Sequence, residues 1–231
     1  MSENSNLNSQ AFQILKNSIY NNEFKRNYIY SETKIASKIG ISRTPVRDAI
    51  HKLNAEGLID IIPNKGFTVH VLTPEEILST FEQRCAIEGY CAYRLTLKRL
   101  GELEKEIINK LEIYANLQEK MFLENRSSEE IIAEDENFHR TLIYYINNKG
   151  FNDFFEQHCY QIFSHCAIAV KSGHAEAETI QWHKKIVSLI KDGTSIEVYK
   201  AILNHLGHAQ EINYTEALKN QGRRIFFTKK S

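Results

Sequence analysis

Asp135 and His139 place a carboxylate and an imidazole four positions apart in the second half of the chain. On a helix this spacing puts both side chains on one face, where they can meet a single ion. His183 and His205 follow, 22 residues apart, on segments predicted to be successive helices. Three imidazole nitrogens and one carboxylate oxygen suit a divalent transition ion such as Zn²⁺, Ni²⁺ or Mn²⁺, because Ca²⁺ and Mg²⁺ prefer oxygen ligands.

These four residues also have an ordinary structural interpretation. A single histidine on the apolar face of a helix is more often a hydrogen-bonded core residue than a ligand, and the chain has nine histidines. Phe138 and Leu142 lie on the same predicted helix as the Asp-His pair, which indicates that the pair faces the protein interior. The residues alone therefore leave open both a metal site and a set of core histidines.

Helices must position these side chains. The chain after Pro74 contains no further proline and shows no strand pattern, and its apolar spacing predicts an all-helical antiparallel bundle over residues 74–231. Thr73, Pro74 and Glu76 form the pattern of a capped helix start, which predicts a domain boundary between residues 73 and 74. The predicted helices lie near residues 75–99, 102–123, 128–147, 150–171, 177–191 and 195–217.

The segment from Ser31 to Val71 has a different pattern. It predicts two short helices joined by a turn at Gly40, preceded by a helix near residues 11–20. Two β-rich runs, 58–62 and 67–71, then flank a hairpin turn. This order describes a winged helix-turn-helix, a DNA-reading device, so the predicted fold class is mainly α with this domain at residues 1–73. The second short helix has an apolar face of Val46, Ile50 and Leu53 and a basic face of Arg43, Arg47 and Lys52.

Charge and composition agree with this division. The formal net charge is zero, which at first argues against binding to nucleic acid, but residues 1–74 hold nine Lys or Arg against six Asp or Glu. No apolar run is long enough for a membrane span, and the polar start does not resemble a signal peptide. We therefore expect a cytoplasmic protein with no membrane partner.

The first domain closely resembles the GntR family of bacterial transcription regulators. The resemblance implies that Arg43 and Arg47 contact DNA, that Thr44 contacts phosphates, and that Lys65 and Gly66 form the wing tip near the minor groove. The family commonly has an arginine where this chain has Thr33, which weakens one expected contact. The matching residues are Glu32, Ala36, Gly40, Ser42, Arg43, Thr44, Pro45, Val46, Arg47, Ala49, Leu53, Glu56, Gly57, Leu58 and Gly66.

The second domain resembles the six-helix FCD effector domain of the FadR-like subfamily. Many such domains use an Asp-x-x-x-His pair and two later histidines to hold a metal, which favours the metal interpretation of the four residues named above. The resemblance also implies that Arg84 faces a cavity and pairs with the carboxylate of a small effector, and it places Asn148 near that cavity. Alternatively, Arg84 pairs with Glu88, four residues later, on a solvated face.

These observations predict a ligand-responsive DNA-binding regulator, in the usual case a repressor, that binds a palindromic operator as a homodimer. A small organic acid would bind at the metal and change operator binding. Two alternatives remain open: the same regulator with a purely structural metal or with constitutive DNA binding, and a helical metalloenzyme that activates water. We expect no enzyme, because no motif supplies a further acid or base and the DNA-reading domain would be unexplained.

Overall fold

In the computed structural model, which describes residues 3–21, 23–158 and 174–228, the chain divides into two compact units, Met1–Val71 and Leu72–Ser231. The predicted domain boundary lies two residues after this division. Each unit buries apolar side chains of its own. The units are described separately below.

The first unit contains three helices and a β-hairpin, in the order of a winged helix-turn-helix as predicted. The first helix begins eight residues earlier than predicted, because the polar residues that precede Ala11 are also helical. The two strands pair antiparallel, with Ile59 opposite Val69 and Ile62 opposite Gly66. The elements are α1 (Glu3–Tyr20), α2 (Glu32–Ile39), α3 (Arg43–Ala55), β1 (Ile59–Ile62) and β2 (Gly66–Val69).

Local residue chemistry explains the turn between α2 and α3. Gly40 ends α2 with a left-handed backbone (φ 69°), and its N–H donates to the carbonyl of Ala36. Three residues of α3, Val46, Ile50 and Leu53, are buried, which confirms the predicted apolar face. This packing leaves the opposite face of α3 in solvent.

The second unit consists of helices and the turns between them over its described residues. The predicted capping box of Thr73 with Glu76 is present, and a second capping box joins Ser127 with Glu130. None of the helices in the described ranges is long and apolar enough to cross a membrane. The elements are α4 (Pro74–Leu97), α5 (Glu102–Leu123), α6 (Ser128–Tyr144), α7 (149–158), α8 (His174–Asp192) and α9 (Ser195–Thr228).

In the second unit, one predicted helix end lies outside the described residues and another differs markedly from the structure. The helix predicted over residues 150–171 is observed as α7 as far as residue 158, and the rest of that prediction lies outside the described residues. α9 runs 34 residues and ends eleven residues beyond the predicted end at 217, because Gly222 is the one breaker after that point and a single glycine does not stop a helix.

The core of the second unit lies between five of its helices. α4 packs against α9, and α5 packs against α6 and α8. One buried residue from each helix shows the arrangement: Leu95 of α4, Leu111 of α5, Leu142 of α6, Ile186 of α8 and Ile202 of α9. α6, α8 and α9 therefore direct one face each into a common interior.

Gly66 has a specific structural role at the wing. Its φ is 128°, and a Cβ at this position would lie 2.0 Å from the carbonyl oxygen of Tyr30. That close approach lets Tyr30 pair with β2: its N–H donates to the Phe67 carbonyl (2.7 Å) and its carbonyl accepts from the Phe67 N–H (3.0 Å). The wing is thus held on its outer side by the chain that leads into α2.

We expect Gly66→Ala to destabilise the first unit by about 3 kcal/mol, because it combines backbone strain with a clash against the Tyr30 carbonyl. Gly40→Ala is the matched control: its φ is also positive, but no atom lies within 4 Å of the added Cβ, so about 1 kcal/mol is expected. Hydrogen exchange at the Tyr30 and Phe67 amides measures the difference. Equal exchange rates in the two variants would contradict the role given to Gly66.

Candidate metal centre and nucleic-acid interface

The four predicted metal ligands come together in the interior of the second unit. α6 supplies Asp135 and His139, α8 supplies His183, and α9 supplies His205. One ligand atom of each lies within 4.8 Å of the others, and all four residues are buried. The packing of three helices therefore brings together residues that are up to 70 positions apart in the chain.

Three of the distances in this cluster are close to those of atoms that share one ion, and a fourth is longer. His205 Nε2 lies 3.1 Å from His139 Nε2 and 3.2 Å from His183 Nε2. Asp135 Oδ1 lies 3.5 Å from His183 Nε2 and 3.9 Å from His139 Nε2. Two ligands bound at about 2.1 Å to a common ion would lie about 3.0 Å apart at a right angle and about 3.4 Å apart at the tetrahedral angle.

Two further buried residues contact the cluster from outside, and sequence reasoning missed both in this role. His139 Nδ1 donates to Glu88 Oε2 (2.5 Å), and His183 Nδ1 donates to Gln118 Oε1 (2.7 Å). We assign both protons to Nδ1 because an ionised carboxylate and an amide oxygen only accept. The Nε2 lone pairs of both histidines consequently face the centre of the cluster.

Gln118 had a signal in the sequence. It continues the spacing of Leu111 and Ala115 on α5, so it occupies the third position of an otherwise apolar face. A glutamine on such a face is buried and needs a hydrogen-bond partner. The sequence predicts Glu88 only as a solvated partner of Arg84.

The protonation states of the buried histidines suit metal binding. Burial lowers the pKa of His183 well below its usual value, and the neighbouring His205 and His139 lower it further. Burial and His139 likewise lower the pKa of His205. Both side chains are therefore neutral near pH 7, the form in which imidazole binds a metal.

Asp135 is the residue that most needs a partner in this cluster. Its Oδ1 is buried and has no hydrogen-bond partner in the described ranges, and burial raises its pKa above the usual value. A buried carboxylate without a partner is costly, whereas a cation at the centre of the cluster would stabilise its ionised form. The donor set and this orphaned oxygen therefore fit a divalent transition ion.

Arg84 forms the ion pair that was the alternative prediction, but the pair lies in the interior rather than on a solvated face. Its Nε donates to Glu88 Oε1 at 2.6 Å, and the two residues are 7% and 0% exposed. Burial raises the pKa of Glu88, but Arg84 and His139 together outweigh it and hold that pKa at about 2. Glu88 is therefore an ionised carboxylate between Arg84 and His139.

Asn148 has a local structural function. Its side chain is exposed, and Oδ1 accepts from the N–H groups of Gly150 (2.9 Å) and Phe151 (3.4 Å). These contacts cap the N-terminus of α7. The cap accounts for Asn148 without the predicted cavity role, and its exposure does not support a place beside an effector.

In the first unit, four of the five predicted DNA-contacting residues line a cleft of about 380 Å³ between the start of α3 and the wing. Arg43, Arg47 and Lys65 are exposed and line it together with Gly66. Thr44 is exposed in the first turn of α3, where backbone N–H groups and the helix dipole favour a phosphate. Arg43, Arg47, Lys65 and Gly66 therefore share one open, basic surface.

The cleft also contains residues that were not predicted or that change the prediction. His51 lines it one turn after Arg47, a spacing that could have identified it. Glu32 Oε2 lies 3.4 Å from Arg47 Nε and so holds the side chain of that arginine. Lys52 does not belong to this surface, since its Nζ sits 4.0 Å from the centre of the Phe12 ring of α1.

Both units match known protein families. Residues 7–69 match the family described as bacterial regulatory proteins, gntR family, and residues 79–208 match the FCD domain. The second match alone spans more than half of the chain. The two matches coincide with the units that hold the cleft and the histidine cluster.

Several curated bacterial regulators are similar in sequence. The HTH-type regulator YdhC of Bacillus subtilis (strain 168) is 28% identical over 200 residues, which is 86% of this chain and 87% of that protein. The repressor RspR of Escherichia coli (strain K12) is 26% identical over 59% of this chain and 58% of its own length. The gluconate operon repressor of Bacillus licheniformis is 29% identical over 52% and 47%.

Solved structures share the fold. E. coli McbR/YncC superposes with a TM-score of 0.70 at 17% identity, covering 94% of this chain and 99% of that one. A GntR regulator from Rhodococcus sp. RHA1 gives 0.68 at 18% identity, covering 92% and 97%. The family and its relatives are transcription regulators, which confirms that the chain is not an enzyme. The chain belongs to the GntR family of DNA-binding transcription regulators, with a winged helix-turn-helix followed by an FCD domain.

Proposed function

We propose that this chain is a metal-containing regulator whose operator binding responds to a small organic acid. Asp135, His139, His183 and His205 would hold a divalent transition ion such as Zn²⁺, Ni²⁺ or Mn²⁺. The observation that carries the proposal is the convergence of three Nε2 atoms on a buried aspartate oxygen that has no hydrogen-bond partner in the described ranges. Such an ion supplies a Lewis-acidic centre that attracts oxygen donors.

Charge at the centre favours an anionic ligand. The described charged side chains around the proposed ion are two carboxylates, Glu88 and Asp135, and one guanidinium, Arg84. With a divalent ion and neutral histidines, the buried centre would carry one net positive charge, which is costly to bury without an anion. A carboxylate could occupy an open metal position and pair with Arg84.

The regulator would act in the cytoplasm as a homodimer on a palindromic operator, with one α3 in each of two successive major grooves. Similar proteins named as repressors favour repression for this chain. Acid binding can change operator affinity only by its different affinity for two arrangements of the dimer. We place the DNA contacts at Arg43, Thr44, Arg47, Lys65 and Gly66.

A second version of this function has support of its own. Four buried protein ligands can close a tetrahedral site, which is typical of structural zinc. The ion would then stabilise the helical unit without binding an acid. The acid experiment below separates the two versions.

Arg47→Ala should weaken binding to the chain's own promoter DNA by about 10- to 100-fold, because a guanidinium that reads guanine is lost. Binding to unrelated DNA should change by less than about threefold. Lys110→Ala is the charge-matched control, since Lys110 is an exposed lysine of the second unit paired with Glu106. Fluorescence anisotropy measures both affinities, and retained operator binding by Arg47→Ala would contradict the assignment.

Lys65→Ala should weaken binding to the operator and binding to unrelated DNA by a similar factor. The reason is that a wing-tip lysine that contacts a phosphate makes no contact with a base. The slope of log affinity against log salt should fall by about 1. A loss confined to the operator would instead assign base reading to Lys65.

Purified wild type should contain about one transition-metal ion per chain, whereas His183→Ala combined with His205→Ala should contain less than about a tenth of that amount. His208→Ala is the matched control. His208 lies on α9, as His205 does, but it pairs with Glu178 and lies outside the cluster. Elemental analysis gives the ratio. Equal metal content in all three proteins would refute the site.

A small carboxylate at 100 times its dissociation constant should raise the melting temperature of the metal-loaded protein by about 5–10 °C. Trp182, the only tryptophan of the chain, lies beside His183 in α8, so its fluorescence follows the helical unit. In the Arg84→Gln variant, citrate and related acids should no longer raise the melting temperature. Stabilisation by metal with no response to any acid would favour the structural-metal version.

A further inference from the structure

Glu88 contacts both Arg84 and a candidate metal ligand. Its Oε1 accepts from Arg84 Nε at 2.6 Å, and its Oε2 accepts from His139 Nδ1 at 2.5 Å. The residue is fully buried, so these two donors replace the water that the carboxylate gives up. Each oxygen of one carboxylate thus serves a different partner.

The histidine of α8 lacks such a connection. His183 Nδ1 donates to Gln118 Oε1, a neutral amide whose Nε2 is buried without a hydrogen-bond partner in the described part of the chain. The contact of Glu88 with His139 and the contact of Gln118 with His183 each hold the histidine so that its Nε2 faces the centre of the cluster. Of these two partners, Glu88 is the one with a negative charge, and Glu88 is also the one that pairs with an arginine.

We propose that Glu88 is a positioning residue that orients His139 for the metal and lets Arg84 modulate how tightly that metal is held. The inference rests on the proposed metal site. It adds a physical connection between that site and the arginine to which we assign the acid.

The direction of the effect follows from competition for one carboxylate. While Arg84 donates to Glu88, part of the negative charge of the carboxylate is neutralised, and its hydrogen bond from His139 is weaker. When Arg84 turns to another anion, Glu88 binds His139 more strongly and makes its Nε2 a better donor to the metal. An acid that engages Arg84 would therefore tighten the metal, and by linkage the metal would tighten the acid.

A double-mutant cycle in metal affinity tests this without needing the natural acid. Zn²⁺ affinity is measured by competition with a chromophoric chelator for wild type, Arg84→Gln, Glu88→Gln and the double variant. Glu88→Gln alone should bind Zn²⁺ about 10- to 100-fold more weakly. Arg84→Gln should tighten Zn²⁺ in the wild-type background by at least about threefold more than in the Glu88→Gln background.

Gln118→Met provides the matched cycle. It removes the Nδ1 partner of His183 and should also weaken Zn²⁺, but its effect should be additive with Arg84→Gln. The role of Glu88 would be overturned if the effects of Arg84→Gln and Glu88→Gln on Zn²⁺ affinity were additive, or if Arg84→Gln were coupled equally to Gln118→Met. Either result would leave the metal site intact. A wild type that binds none of Zn²⁺, Ni²⁺ and Mn²⁺ would instead overturn the proposed function itself.

A spectroscopic measurement covers the case in which Glu88→Gln does not fold. The Nδ1 proton of His139 should move downfield in the NMR spectrum of Zn²⁺-loaded Arg84→Gln relative to wild type, because its hydrogen bond to Glu88 shortens. The Nδ1 proton of His183 serves as the internal reference and should stay in place. An unmoved His139 proton would contradict the inference.

Discussion

The helical unit is organised by the need to satisfy polar groups that its own packing buries. Three imidazoles, two carboxylates, a guanidinium and an amide lie among the apolar side chains of five helices. Each such group would cost free energy if it lost water and gained nothing. The hydrogen bonds of Glu88 and Gln118 satisfy the Nδ1 atoms of His139 and His183. Among the described residues, Asp135 Oδ1 is left at the centre of the cluster without a hydrogen-bond partner.

This arrangement explains why the apolar core and the polar cluster depend on one another. Phe138 stacks on the ring of His183 with ring centres 3.9 Å apart, and the rings of His139 and His205 stack at 5.1 Å. The same helix faces that bury Leu142, Ile186 and Ile202 therefore fix the orientation of the candidate ligands. A regulator can use such a site as a sensor because a change of charge there acts directly on the packing of the bundle.

Much of this organisation could be predicted from the sequence. Helical periodicity and capping residues gave the element order, and the Asp135–His139 spacing with two later histidines identified the cluster that the structure assembles. The outer partners were harder to find, because Gln118 is 65 residues from His183 and no local pattern joins them. The alternative interpretation of Arg84 placed its pair with Glu88 in solvent, because an i, i+4 ion pair has the same spacing whether it is buried or solvated.

The attachment of Tyr30 to the wing has a thermodynamic consequence for DNA binding. Phe24 packs edge-on against both Tyr30 (4.6 Å between ring centres) and Phe67 (5.7 Å), so the hairpin is braced by aromatic packing as well as by the paired backbone. If the wing meets DNA as proposed, a wing fixed in this way beforehand would lose little conformational entropy on binding. The discrimination between operators then depends mainly on the bases and on DNA shape, with little adaptation by the protein.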